Sequence, residues 1–203
     1  MIESVMEDVS KNKEQDRKSE ILDAALELFV EKGYHETTIL DIANAAELTK
    51  GGVYHYLKSK DEILYLLHDR FIDEGLRRLK KIESEPLPPK EKFLKLLKAH
   101  LNIIHEYKDD ITFFFKEFDK LPKDKYEIVK KKRDEYENIF VKVLEEGRVQ
   151  GVFYVENSRI AIFYILGSSN FMYQWYDPNG ELSLDKLERI YLNIITNGIL
   201  KNA

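Results

Sequence analysis

The sequence predicts an all-α fold. Apolar residues recur at helical spacing through most of the 203-residue chain. No segment sustains a period-2 alternation, and the interruptions are residues that stop helices or make turns. Only VFYV, residues 152–155, reads as a strand, and it is too short to found a sheet.

Residues 1–15 are polar and charged and read as a disordered tail, with none of the apolar core of a signal peptide. Over 17–32, Ile21, Leu22, Ala25, Leu28 and Phe29 form one apolar stripe, and Gly33 stops the helix. Thr38 and Asp41 have capping-box spacing and open a helix over 39–46 that is expected to bury Ile39, Ile42, Ala43 and Ala46. After a tight connection, Thr49 caps a helix over 50–56. A long helix follows from Ser59 or Lys60 to about Glu83, with Ile63, Leu64, Leu67 and Phe71 inward. PLPP at 86–89 breaks the chain. Helices are then expected near 90–106, 109–120, 124–147, 156–176 and 183–201, with Asp177-Pro-Asn-Gly180 as a strong turn. These elements divide into a helix-turn-helix domain over 16–62 and a second helical domain over 63–203.

Cysteine is absent, which removes disulfides and thiolate chemistry and fits a reducing, cytoplasmic setting. Residues 160–176 carry no formal charge, but Ser168, Ser169, Asn170 and Gln174 make them a buried interface helix rather than a membrane span. His100 and His105 are five residues apart and off one helical face, so no metal site is expected. No H-E-x-x-H, P-loop or G-x-G-x-x-G occurs and no catalytic set is suggested, so the chain is not expected to be an enzyme.

The net charge of −5 counts against a nucleic-acid partner at first sight. Between Leu48 and Lys60, however, stand Lys50, Lys58 and Lys60 and no acid. Two short helices joined by a tight turn, with a third before them, match a helix-turn-helix whose second helix enters the major groove by its N-terminal end. Gly51 and Gly52 lie there and allow the backbone to approach phosphates or base edges closely. Lys50 and Tyr54 share one face, Gly51 and His55 the next, while Val53 and Leu57 point inward. Thr38, Thr49, Tyr54, His55 and Lys60 can donate to phosphates.

Residues 37–64, TTILDIANAAELTKGGVYHYLKSKDEIL, resemble the DNA-binding motif of the TetR family of transcriptional regulators, through Thr38, Ile42, Ala43, Ala46, Leu48, Thr49, Gly51, Tyr54, Tyr56, Leu57 and Lys60. ILDAALELFVEKGYHETT, 21–38, is similar to the family's first helix. Glu47 stands where the family has a turn glycine, and Leu57 where Phe is common. The resemblance implies that Lys50, Tyr54, His55 and Lys60 touch double-stranded DNA and that Thr38 and Thr49 anchor phosphates. It also implies a homodimer on a palindromic operator.

Two late helices carry small residues: Gly167, Ser168 and Ser169 in one, Gly198 in the other beside Leu184, Leu187, Tyr191, Ile194 and Ile195. Such faces permit close helix approach, either within the chain or between two copies. Aromatics cluster in the middle of the chain, and three consecutive phenylalanines cannot all face one core from a single helix. At least one must face a partner, a second layer or a cavity, and His100, Tyr107, Phe113, Phe114, Phe118, Phe163, Asn170, Tyr173 and Trp175 are the candidates to line a pocket, with a packed core as the plainer alternative; that the pocket takes a small hydrophobic effector is what the TetR resemblance implies. The ending MYQWYDPNGELSLDKLERIYLNIITNGIL resembles the acyl-CoA-responsive branch of the family, whose repressors govern lipid breakdown. That resemblance implies an acyl-CoA effector, whose phosphates Arg77, Arg78, Arg148 or Arg159 could meet. The alternative is a sensor of drugs or other small molecules controlling an efflux or catabolic operon.

Overall fold

In the computed structural model, residues 2–199 are described, their side chains from Lys13 onward. The elements are α1 Ile2–Lys32, α2 Ile39–Ala45, α3 Lys50–Tyr56, α4 Lys60–Glu83, α5 Pro89–Glu106, α6 Lys108–Glu117, α7 Lys123–Val149, α8 Ser158–Asn170, α9 Met172–Trp175 and α10 Leu184–Ile199. A single 3₁₀ turn, Phe118–Lys120, follows α6. The expected tail over 1–15 falls largely outside the residues whose side chains are described, and the backbone of α1 is helical from Ile2. The helix expected over 156–176 is two, broken at Phe171, whose φ of −58° and ψ of −11° cap α8 and open α9. No helix among the described residues is long and apolar enough to cross a membrane.

The chain forms two compact units. The first runs to His68 and takes in Phe113–Lys125; the second holds Asp69–Thr112 and the chain from Tyr126 on. The first unit thus holds all of 16–62, and the second half of α6 belongs to it. The reason is aromatic. Phe113 stacks on Phe29 at 4.8 Å between centroids and lies 6.0 Å from Tyr34, and Phe114 packs 4.4 Å from His68. Burying such a ring is worth about 1.5–3 kcal/mol.

In the first unit, α1 presents Ile21, Leu22, Ala25 and Phe29 to a core shared with Ile42, Ala43, Val53, Leu57, Ile63, Leu64 and Leu67. Gly33 ends α1 at φ +94°, donating its amide to Phe29 O at 3.0 Å. α2 ends in a Schellman motif: the Leu48 amide donates to Ala43 O at 2.8 Å and the Glu47 amide to Asn44 O at 3.2 Å. That motif needs its C′ residue in the left-handed region, and here it is Glu47 at φ +53°. Arg17 Nη2 donates to Ala46 O at 3.1 Å, tying α1 to the same turn. The left-handed conformation costs a side-chain-bearing residue about 1 kcal/mol relative to glycine. Glu47→Gly should therefore raise stability by about 1 kcal/mol, read by urea unfolding; no gain would mean that the strain is relieved elsewhere.

The second unit is built around Phe93, Leu96, Leu97, Leu101, Ile104, Phe140, Leu144, Ile162, Ile165 and Leu187. α5 and α10 are joined through the buried Glu188, which accepts from Asn102 Nδ2 at 2.5 Å and pairs with Lys98 at 3.3 Å. His105 meets the Tyr176 hydroxyl at 2.7 Å, and Lys108 donates to Tyr173 O at 2.7 Å, so α9 is fastened to the end of α5 and the start of α6. The Asp177 turn closes with the Gly180 amide on Asp177 O at 3.0 Å.

Candidate nucleic-acid interface

α2 and α3 are each started by a threonine, and the two threonines are spent differently. Thr38 makes a full capping box: its Oγ1 accepts from the Asp41 amide at 3.1 Å and donates to Asp41 Oδ2 at 2.6 Å, while its own amide donates to the same carboxylate at 2.8 Å. These two bonds hold the exposed Asp41 carboxyl below the usual range. With the hydroxyl proton committed, Thr38 has no side-chain donor left for a phosphate. Thr49 Oγ1 accepts from the Gly52 amide at 3.0 Å, which leaves its hydroxyl proton to donate outward.

α3 is anchored by Val53, fully buried, and by Leu57 just beyond its end. Its other faces are outward: Lys50, Gly51, Tyr54 and His55 are exposed. Lys50 Nζ lies 6.0 Å from the Tyr54 ring centroid, and the His55 ring meets Tyr56 edge-on at 5.0 Å. The acids nearest this face are turned to internal bonds. Asp61 accepts the Tyr34 hydroxyl at 2.6 Å and Glu62 accepts the Lys58 amide at 2.6 Å. Burial, reinforced by Asp61, raises the Tyr34 phenol well above its ordinary pKa, so it stays a donor. The exposed Glu47, in the turn, is the exception.

Nothing inside the protein requires the glycine at 51. A methyl built there would have its nearest neighbour, Thr49 Oγ1, 3.9 Å away; at Gly52 the corresponding distances begin at 3.4 Å. Glycine in a helix nevertheless costs about 0.5–1 kcal/mol relative to alanine. The demand for a bare backbone must come from outside. Gly51→Ala should accordingly raise thermal stability by about 0.5–1 kcal/mol while weakening binding to duplex DNA. Unchanged binding in an anisotropy titration would remove the close-approach argument.

Lys60 is not placed as expected. Its ammonium donates to Tyr34 O at 2.6 Å, Thr37 O at 3.1 Å and His35 O at 3.4 Å, and lies 4.4 Å from the Tyr34 ring centroid. All three protons are engaged in fastening α4 to the loop after α1, so in the chain by itself Lys60 acts as a clamp. Lys60→Met should lower stability by about 2 kcal/mol, visible as a drop in Tm of the free protein.

Of the nine residues expected to line an effector pocket, three lie in the first unit and six in the second. Phe113, Phe114 and Phe118 belong to the first unit, the first two as core; His100, Tyr107, Asn170, Phe163, Tyr173 and Trp175 belong to the second. Phe163 and Trp175 are about half exposed, at 49% and 48%, rather than turned into a core. Of the four arginines, Arg77 and Arg78 bond to Glu74, Arg78 also to Glu106, and Arg148 to Glu145. Arg159 instead donates to the Asn138 side-chain carbonyl at 3.0 Å. The reading of the sequence did not single out Tyr136. This tyrosine on α7 is buried against His100 with its hydroxyl 3.0 Å from Nδ1. Its place in an otherwise apolar helical stripe was the available signal.

Residues 21–65 match the profile of the family described as bacterial regulatory proteins, tetR family. Residues 86–199 match the profile described as tetracyclin repressor-like, C-terminal domain. The chain is similar to the HTH-type transcriptional repressor KstR2 of Mycolicibacterium smegmatis, 26% identical over 188 residues that cover 92% of each protein. The structure of the ketosteroid transcriptional regulator KstR2 of Mycobacterium tuberculosis superposes with a TM-score of 0.82 at 26% identity, over 92% of this chain and 96% of that one. AibR in complex with isovaleryl coenzyme A and operator DNA shares the fold, with a TM-score of 0.76 at 20% identity over 89% of this chain and 97% of that one.

Proposed function

Because the chain belongs to the TetR family of bacterial regulatory proteins, we propose that it is a cytoplasmic homodimeric repressor released from a palindromic operator by a hydrophobic effector, a fatty acyl-CoA, and that it regulates lipid-degradation genes. The observation that carries the DNA-binding part is α3: a capped helix whose outer face combines Lys50, Gly51, Tyr54 and His55 with no acid in its first turn. A two-fold dimer sets two such helices against half-sites one helical turn apart.

The dimer is supported by α8 and α10. On the single chain Ile160, Tyr164 and Ile194 are 66%, 72% and 62% exposed, and a methyl added at Gly167 or Gly198 meets nothing within 4 Å. Together with Phe163 and Ile190 they form an apolar face with small residues, suited to close packing against its own copy. The acyl-CoA assignment is supported by AibR, which shares the fold and whose structure holds isovaleryl coenzyme A. Arg159 is the arginine of the four without a carboxylate bond in its own geometry and is the one we assign to effector phosphates. α4 contributes residues to both units and begins four residues after α3 ends, so it is the segment through which we propose an effector resets α3. The coupling required is on the order of 1–3 kcal/mol.

A DNA-binding titration at graded salt, using the region upstream of the protein's own gene, tests the reading. Specific binding should persist against competitor DNA and fall steeply with salt. Palmitoyl-CoA should release the complex and CoA alone should not. Absent or unselective DNA binding overturns the regulator; release by unrelated cationic drugs, with no response to palmitoyl-CoA, replaces the effector with a multidrug-type ligand.

A further inference from the structure

The core of the second unit holds a polar pair that packing does not explain. His100, on α5, is 4% exposed, and Tyr136, on α7, 7%. Nδ1 and the phenol oxygen are 3.0 Å apart. His100 Nε2 is buried with no hydrogen-bond partner. Around the pair stand rings: Phe140 is 6.0 Å from His100 and 5.9 Å from Tyr136, and Phe93 is 6.3 Å from Phe140. A polar nitrogen left unsatisfied in such surroundings destabilises the fold unless something completes it.

The bond to Tyr136 decides which proton the ring carries. Burial raises the phenol well above its ordinary pKa and lowers His100 to about 4, so both groups are neutral near pH 7. If Nδ1 carried the proton and donated to the phenol, the phenol's own buried proton would lack an acceptor and the Nε2 lone pair would lack a donor. If the phenol donates to Nδ1, one unsatisfied group remains, the Nε2 proton. The second arrangement leaves fewer buried groups unpaired, so Nε2–H is an unsatisfied donor. A neutral donor in an apolar setting selects an acceptor oxygen of the ketone, ester or thioester type and rejects an ammonium group.

Tyr136 also touches α4. A Cβ built on Gly75 would lie 2.7 Å from Tyr136 Cε2, so the ring rests against the bare backbone of that helix. We propose that His100 Nε2 is the hydrogen-bond donor for a carbonyl oxygen of the effector, and that Tyr136, sharing that imidazole and leaning on Gly75, passes the change to α4. The inference rests on the reading of the second unit as the effector-binding part of a regulator. It names the atom that recognises the ligand and the contact that reports it.

The test uses the full chain labelled with ¹⁵N-histidine. Long-range ¹H–¹⁵N correlations read the tautomer of His100, identified by the signal lost in His100→Gln. Palmitoyl-CoA and S-hexadecyl-CoA, the thioether without the carbonyl, are then titrated by calorimetry. We expect the Nε2–H form in the free protein and a shift of that resonance with palmitoyl-CoA. His100→Phe should weaken palmitoyl-CoA about 10–100-fold and leave S-hexadecyl-CoA within about 2-fold, and His100→Gln, which keeps an amide donor, should recover part of the loss. An Nδ1–H ring overturns the assignment. So does a His100 resonance unmoved at saturating palmitoyl-CoA, which would mean that a trapped water satisfies the nitrogen, or equal palmitoyl-CoA binding by wild type and His100→Phe. Should His100→Phe not fold, His100→Gln and the wild-type resonance decide. No binding of palmitoyl-CoA to the wild type overturns the acyl-CoA reading and this assignment with it, and is told apart because it appears before any substitution is made.

Discussion

Ile194→Arg should turn the protein into a monomer at micromolar concentration and lower its operator affinity by roughly 100-fold or more. Ile194 is 62% exposed in the chain by itself, so the substitution leaves the fold of one copy intact. In the proposed dimer every interface residue occurs twice, and two guanidinium groups would be driven out of water against a mainly apolar face. Tyr164 and Ile160 expose their side chains on the neighbouring helix α8, and Gly167 leaves open space that a partner helix could enter. A monomer carries a single reading helix and loses the gain of binding two half-sites at once, commonly a factor of 10²–10⁴. Analytical ultracentrifugation and anisotropy on the same samples check both halves. A variant that stays dimeric places the interface elsewhere; a monomer that binds the operator as tightly as wild type removes the two-half-site argument.

Tyr54→Ala should weaken specific operator binding by about 1–3 kcal/mol per half-site, a loss of about 30-fold or more for a dimer, while Tm changes little. The ring is 46% exposed on the outer face of α3, one turn from Lys50, and closes no part of the core beneath it, where Val53 and Leu57 are buried. Surface changes of this kind usually move stability within about 0.5 kcal/mol. Circular dichroism melts alongside DNA titrations make the comparison. The contrast with Lys60 is the sharper test. Both residues are polar and lie six positions apart, yet Tyr54 should cost binding without stability and Lys60 should cost stability first. Equal loss of Tm in both would mean that α3 is supported by Tyr54 more than its exposure indicates.

Much of this was legible in the residues. The caps at Thr38 and Thr49, the glycine stop at 33 and the turn at Asp177 are local chemistry: each is set by a few neighbouring side chains and one or two amides. The inward positions of α1 to α4 follow from apolar spacing alone, and Ile42, Val53, Leu57, Ile63 and Leu64 are buried as that spacing requires. The effector residues were less legible. Phe113 and Phe114 are apolar, aromatic and central in the chain, and these properties describe a pocket wall and a packed core equally well. Their partners, Phe29 and His68, lie far away in sequence.

The sequence by itself determined the all-α class, the helix-turn-helix and the face of α3 turned outward, because helical period and capping act over four residues or fewer. Tertiary structure decided which donors remain for a ligand. Lys60 and Thr38 look alike to Lys50 and Thr49 in a string of letters, and only the fold brings three backbone carbonyls to one ammonium while the capping bonds at Asp41 use up one hydroxyl. The same holds for His100. Whether a buried nitrogen is satisfied depends on groups that meet through space, and hydrogen bonds reach about 3 Å whatever the number of residues between them.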